Sequence, residues 1–185
     1  RRSQVLSLRK DLSIKLLRGN VDTRIQKLRN HEYDAVILSL AGLARLNLDY
    51  LVTEVLELNL FLPAASQGAV GVQALKSSEV KKIFAPINDL KTQTECMAER
   101  KVLKNINANC NSPVSIYANI NKNNITLEFE IFDHHGNKIF KKFKEDLKEN
   151  YLKLCDELSD EIINALGQAK INELDNLNCD FDYSP

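Results

Sequence analysis

Glycine and proline are scarce, six and four among 185 residues, which excludes collagen-like, low-complexity and disordered chains. Net charge is lacking too, 25 basic residues against 25 acidic. That removes the overall basicity of a dedicated nucleic-acid binder and confines any anion site to a local patch. No apolar run is long enough to span a bilayer, and the N-terminus lacks the apolar core of a secretion signal. A cytoplasmic chain with no membrane or nucleic-acid partner is the expectation. The four cysteines, Cys96, Cys110, Cys155 and Cys179, form no CxxC pair, so free thiols are expected rather than a disulfide framework or a zinc site. Methionine occurs once, at Met97, and the chain opens Arg1-Arg2-Ser3. A piece of a longer protein is therefore expected.

What is present is a globular composition, 44% hydrophobic and 27% charged, long enough to bury a core. The charge is unevenly spread. Residues 1–30 hold nine Lys/Arg against Asp11 and Asp22, and seven of the eight arginines precede residue 46. Guanidinium in place of ammonium points to planar, bidentate recognition of carboxylate or phosphate; the plain alternative is a solvated helix face.

Hydrophobic periodicity divides the chain into two modules. Arg1 to Lys10 reads as a helix with Val5, Leu6 and Leu8 inward, and Leu12 to Leu17 alternates as a strand. Arg18-Gly19-Asn20 makes a turn, and Val21, Ile25 and Leu28 space out as a helical stripe. Ala35 to Ser39 reads as a strand buried on both faces, followed by a helix from Ala41 to Leu46. A β-α-β-α unit follows, with a parallel sheet and ligand-facing loops at the strand C-termini. Residues 76–87, polar and containing Pro86, read as a boundary linker. Beyond it lie a helix over Asn88 to Ile106, with Leu90, Cys96, Val102 and Leu103 inward, and a loop over Asn107 to Pro113. Strands then run over Val114 to Ile120, Ile125 to Phe132 and Lys138 to Phe143, before a helix from Leu147 to Leu166. The fold class is thus α/β with a parallel sheet portion, followed by a small α+β domain with a short antiparallel sheet.

Cys110 is the one cysteine read as lying in a loop. Such a thiol is either exposed and reactive or a small inert side chain, and spacing leaves both open. An arginine-rich rim that binds phosphate or dicarboxylate without chemistry remains an alternative function. A partner-binding role for the helix Leu147 to Leu166 is weaker, because such a stripe usually faces a core. Metal binding by His134-His135 fails for want of further ligands at suitable spacing.

The sequence nevertheless resembles the porphobilinogen deaminase (hydroxymethylbilane synthase) family. The resemblance is carried by Arg1-Arg2, by Leu17-Arg18-Gly19-Asn20-Val21-Asp22-Thr23-Arg24, and by Glu32-Tyr33-Asp34-Ala35-Val36-Ile37-Leu38. Ala41-Gly42-Leu43-Ala44-Arg45-Leu46, Leu62-Pro63-Ala64 with Gln67-Gly68-Ala69-Val70-Gly71, Ala98-Glu99-Arg100 and Cys110-Asn111-Ser112-Pro113-Val114 follow in the family's order. It implies a three-domain transferase of heme and tetrapyrrole synthesis, whose first two domains are like those of periplasmic binding proteins. Residues 1–62 would finish domain 2, residues 63–85 would return toward domain 1, and residues 86–185 would form domain 3.

The resemblance further implies a dipyrromethane cofactor joined by a thioether to Cys110. On this primer four porphobilinogens are linked head to tail, with loss of ammonia, and hydroxymethylbilane is released. The implied partners are porphobilinogen and the growing oligopyrrole, and the implied state is a monomer. Arg1, Arg2, Arg18 and Arg24 match the family's carboxylate-binding positions, each contact contributing about 1.5–3 kcal/mol. Asn20, Gly42 and Gln67 match positions close to the cofactor, with a turn or packing role as the alternative. The family's catalytic aspartate belongs to domain 1, so no catalytic residue is identified here. Asp22 and Asp34 read as turn or capping residues, and this chain alone is expected to be inactive.

Two departures stand out. The family usually places two glycines before the cofactor cysteine, where this chain has Ala108-Asn109; a strained or differently shaped loop is expected, since a left-handed Ala costs about 1 kcal/mol. After Gly71 the family commonly has an acidic residue and then an arginine, whereas Val72-Gln73-Ala74-Leu75 carries neither, so one anionic contact is expected to be lost.

Overall fold

The computed structural model describes residues 1–75, 78–109 and 111–177. In chain order the elements are α1 (Arg2–Leu8), α2 (Val21–Arg29), α3 (Leu40–Arg45), α4 (Ser78–Phe84), α5 (Leu90–Asn105), β1 (Val114–Asn121), β2 (Asn124–Phe132), β3 (Lys138–Leu147), α6 (Tyr151–Leu166) and α7 (Gln168–Leu177). They fall into two units, one spanning Leu12–Leu60 and the other joining Arg1–Asp11 to the residues from Phe61 onward.

The larger unit is built on an antiparallel sheet in the order β1-β2-β3. Period-two alternation turns Ile125, Leu127, Phe129 and Ile131 of β2 to one face, all within 1% of full burial. Against this face pack α5, through Ala98, Val102 and Ile106, and α6, through Leu154, Cys155, Leu158 and Ile162. Ile171 and Leu174 of α7 complete the core. Phe129 meets Phe140 of β3 edge to face, with ring centroids 6.0 Å apart. On the opposite face Glu130 is buried but paired, at 2.6 Å from Lys138 and 3.1 Å from Lys141.

The three strands lie where alternation puts them, with one extension. β3 continues to Leu147, which pairs with Asn124, so the last helix of the α+β pair begins at Tyr151 and not at Leu147. Register with β2 outweighs the helical spacing there. Leu90, expected inward, is 73% exposed. The stretch read as a linker holds α4 and a 3-10 turn over Ala85–Ile87. Ile83 and Ile87 are exposed on it.

α1 docks on the turn between β2 and β3. Asp133 organises that turn, its Oδ1 accepting from the amides of His135 and Asn137 at 2.9 and 2.8 Å. Arg2 donates to the carbonyl of His134 and Lys10 to the side chain of Asn137. Gly136 has φ +80°, and a Cβ added there would lie 2.6 Å from Leu6 Cβ and 2.9 Å from the Ser3 carbonyl oxygen. Gly136→Ala therefore carries both backbone strain and a clash. The expected loss is about 1–3 kcal/mol, read by chemical denaturation, with the amides of α1 losing protection first. Unchanged stability would refute the docking.

In the unit Leu12–Leu60 the expected parallel sheet is not formed. Residues 12–17 and 35–39 belong to no strand, and the antiparallel sheet is the only one among the described residues. A parallel pair needs neighbours and cover on both faces. Here only α2 and α3 are available, and among the apolar side chains of this unit only Leu43 is buried. The helices themselves form as expected, because each has a capping side chain. Asn20 caps α2 and Ser39 caps α3.

Candidate functional site

In the larger unit, the candidate residues Arg1 and Gln67 are 66 positions apart in sequence and meet directly. Arg1 Nη2 donates to Gln67 Oε1 at 2.8 Å. Two anchors set this contact. Gln4 on α1 is buried and donates to the carbonyl of Leu62 at 2.7 Å. The following segment then lies along β1, where the Ile116 amide donates to the Pro63 carbonyl at 3.1 Å. At Ser66 the backbone turns with φ +60°. Its amide donates to Glu99 Oε2 at 2.6 Å, and Arg100 Nε donates to its hydroxyl at 3.2 Å.

Glu99 is buried, and its other oxygen accepts from the Ala118 amide at 2.9 Å. Desolvation raises its pKa above the usual carboxylate range, opposed by these two amides. Beside this turn, a Cβ placed at Gly68 or Gly71 would meet nothing within 4 Å. The backbone there is open to close approach.

In the unit Leu12–Leu60, the turn Arg18-Gly19-Asn20 feeds directly into α2. Gly19 takes φ +113° under Thr23, whose Cγ2 would lie 2.8 Å from an added Cβ. Asn20 Oδ1 accepts from the amide and hydroxyl of Thr23 at 2.9 and 2.8 Å. Arg24 Nε donates to the Gly19 carbonyl at 2.8 Å, and Arg18 is exposed. Arg18, Asn20 and Arg24 thus share one helix entry, with Asn20 acting as its cap. Gly42 lies in the first turn of α3, its amide facing Ser39 Oγ at 3.3 Å. A Cβ there would make ordinary contact with Ser39, so packing within the unit does not require glycine. Asp22 lies in the first turn of α2 and Asp34 is exposed.

Cys110 and Cys179 lie outside the described residues. The residues flanking Cys110 form a hydrogen-bonded turn. The Asn109 amide donates to Ser112 Oγ at 2.7 Å, and the Asn111 amide to Asn109 Oδ1 at 2.8 Å. Among the described residues of this loop the left-handed conformation falls on Asn107, at φ +54°, and not on Ala108, and asparagine tolerates it. Cys96 and Cys155 are free thiols. Burial pushes the Cys155 thiol up to about 11, and its Sγ faces the Ala98 carbonyl at 3.5 Å. It is an inert core residue. Among the described residues no group of three His, Cys, Asp or Glu could hold a metal ion.

Sequence reasoning missed Glu99, which was noted only as part of a matching stretch. A buried acid on a helix beside an edge strand carries no periodic signal of its own. Its meaning rests on which backbone amides it meets.

Two family models match consecutive parts of the chain. One, described as porphobilinogen deaminase, dipyromethane cofactor binding domain, matches residues 1–82. The other, described as porphobilinogen deaminase, C-terminal domain, matches residues 93–164. A porphobilinogen deaminase of Clostridium botulinum strain Hall is 37% identical over 163 residues, covering 88% of this chain and 56% of that protein. One from Clostridium beijerinckii is 34% identical over 163 residues, covering 88% and 55%. One from Campylobacter jejuni subsp. doylei is 38% identical over 155 residues, covering 83% and 50%. The chain spans about half the length of these relatives.

Proposed function

Because this chain belongs to the porphobilinogen deaminase family, we propose that it is part of a transferase of tetrapyrrole synthesis that condenses four porphobilinogens to hydroxymethylbilane. A dipyrromethane thioether-linked to Cys110 supplies the covalent primer. The chain's own residues bind and orient. Arg1, Arg2, Arg18 and Arg24 hold acetate and propionate arms through charge-assisted hydrogen bonds. Gln67 fixes the direction of the Arg1 guanidinium, while Asn20 sets the helix entry that presents Arg18 and Arg24. Tethering at one bond and gripping at several carboxylates keeps the reacting end placed, an effective-molarity advantage.

The observation that supports this reading most directly is the Arg1–Gln67 hydrogen bond, which joins two residues the family pattern marks for ligand contact. In this reading residues 1–62 complete a domain like those of periplasmic binding proteins, residues 63–85 lead toward a preceding domain, and residues 86–185 form the cofactor-bearing domain. The whole protein acts as a cytoplasmic monomer on porphobilinogen. This reading places the aspartate that handles protons at the pyrrole nitrogen in an N-terminal portion of the relatives that this chain does not span. Purified alone, the chain shows no porphobilinogen turnover; mixed with that N-terminal portion, it does. Turnover by the chain alone would refute the placement of that acid, and none in the mixture would refute the proposed reaction.

A further inference from the structure

The free edge of β1 is closed by one backbone carbonyl and two carboxylates in place of a strand. Its outward amides are those of Ile116, Ala118 and Ile120. Ile116 donates to the Pro63 carbonyl, Ala118 to Glu99 Oε1 at 2.9 Å and Ile120 to Glu95 Oε1 at 2.7 Å. Glu95 and Glu99 stand one helical turn apart on α5 and both shield the edge from further pairing. They differ in one respect. Glu99 spends its second oxygen on the Ser66 amide at 2.6 Å, tying a separate segment to the sheet.

Ser66 sits in a backbone region that L-residues seldom adopt. The Gln67 amide closes the same turn onto the Ala64 carbonyl at 3.2 Å. Arg100 adds its contact with the Ser66 hydroxyl. Gln67 follows at once, so the direction of its side chain depends on how Ser66 is held.

We infer that Glu99 is a positioning residue for anion binding: by bridging the Ser66 and Ala118 amides, its carboxylate sets the turn from which Gln67 orients the Arg1 guanidinium. What that guanidinium binds rests on the proposed function; the bridge itself does not. A purely protective edge role belongs equally to Glu95, and only Glu99 reaches the turn.

The test uses the isotope-labelled chain and the variants Glu99→Gln, Glu99→Asp and Glu95→Gln, read by nuclear magnetic resonance. In Glu99→Gln the Ser66 amide exchanges about tenfold faster or more, and the Gln67 side-chain amide moves to its position in Arg1→Ala. In Glu95→Gln, whose side-chain oxygen still accepts from the Ile120 amide, neither the Ser66 amide nor the Gln67 side chain changes. A Gln67 signal that stays in place in Glu99→Gln, or moves equally in Glu95→Gln, overturns the inference. Should Glu99→Gln fail to fold, Glu99→Asp and the hydrogen-bond coupling between Ser66 N and the Glu99 carboxyl carbon in the unsubstituted chain decide it, absence of the coupling being fatal.

In the mixture with the N-terminal portion, Glu99→Gln raises KM for porphobilinogen about tenfold with kcat nearly unchanged. It adds nothing further in a Gln67→Ala background, whereas additive losses overturn the link. A missing adduct on Cys110 in the unsubstituted protein would sink the proposed function and leave the resonance result standing.

Discussion

On the proposed function, Cys110→Ser abolishes the covalent adduct and, with it, the turnover of the mixture with the N-terminal portion. A thioether primer needs a sulfur nucleophile. Serine places a hydroxyl of nearly the same size in the loop, but an unactivated hydroxyl is a far weaker nucleophile than a thiolate. No other cysteine among the described residues can stand in. Cys155 is fully buried with its thiol pushed up to about 11, and Cys96 is half-buried on α5. The Asn109–Ser112 and Asn111–Asn109 hydrogen bonds on either side involve no atom of residue 110. Intact-mass spectrometry of protein exposed to porphobilinogen checks this. The dipyrromethane mass is present in the unsubstituted protein and in Cys96→Ser, and absent from Cys110→Ser. An adduct that survives in Cys110→Ser ends the assignment.

Phe129→Ala costs the larger unit about 3–5 kcal/mol. Phe129 is fully buried at the centre of β2 and packs edge to face on Phe140. Truncation removes transfer free energy and leaves a cavity between the sheet and the two helices α5 and α6, which the pairing of β2 with both neighbours keeps from collapsing fully. Against a usual domain stability of about 5–15 kcal/mol that is a large fraction. Tyr50→Ala, at a side chain 73% exposed, changes stability by less than about 0.5 kcal/mol. Urea titration followed at the amides of β1–β3 measures both, and a Phe129→Ala loss below about 1 kcal/mol would contradict the core described here.

The α+β part was legible because its signals are local. Alternation in Ile125, Leu127, Phe129 and Ile131 leaves one possible face for the core, and the stripe Leu154, Leu158, Ile162 leaves one for α6. The parallel sheet expected in residues 12–39 does not form, since an apolar run such as Ala35 to Ser39 states only that a strand would need burial on both faces and cannot supply the neighbours that bury it. Gly136 signalled a turn and nothing more; the close approach that forbids a side chain there comes from α1, more than 120 positions earlier.

Chemistry-bearing residue types and their order along the chain, the arginines 1, 2, 18 and 24, the cysteine at 110 and the helix caps at Asn20 and Ser39, were determined by sequence, because nucleophilicity, charge and capping are properties of side chains and their near neighbours. Which of these groups meet was decided by tertiary structure alone. Arg1 touches Gln67, and Glu99 holds the turn between them, because hydrogen bonds between distant segments depend on the packing of α1, α5 and β1 around one sheet, a geometry that no local pattern encodes.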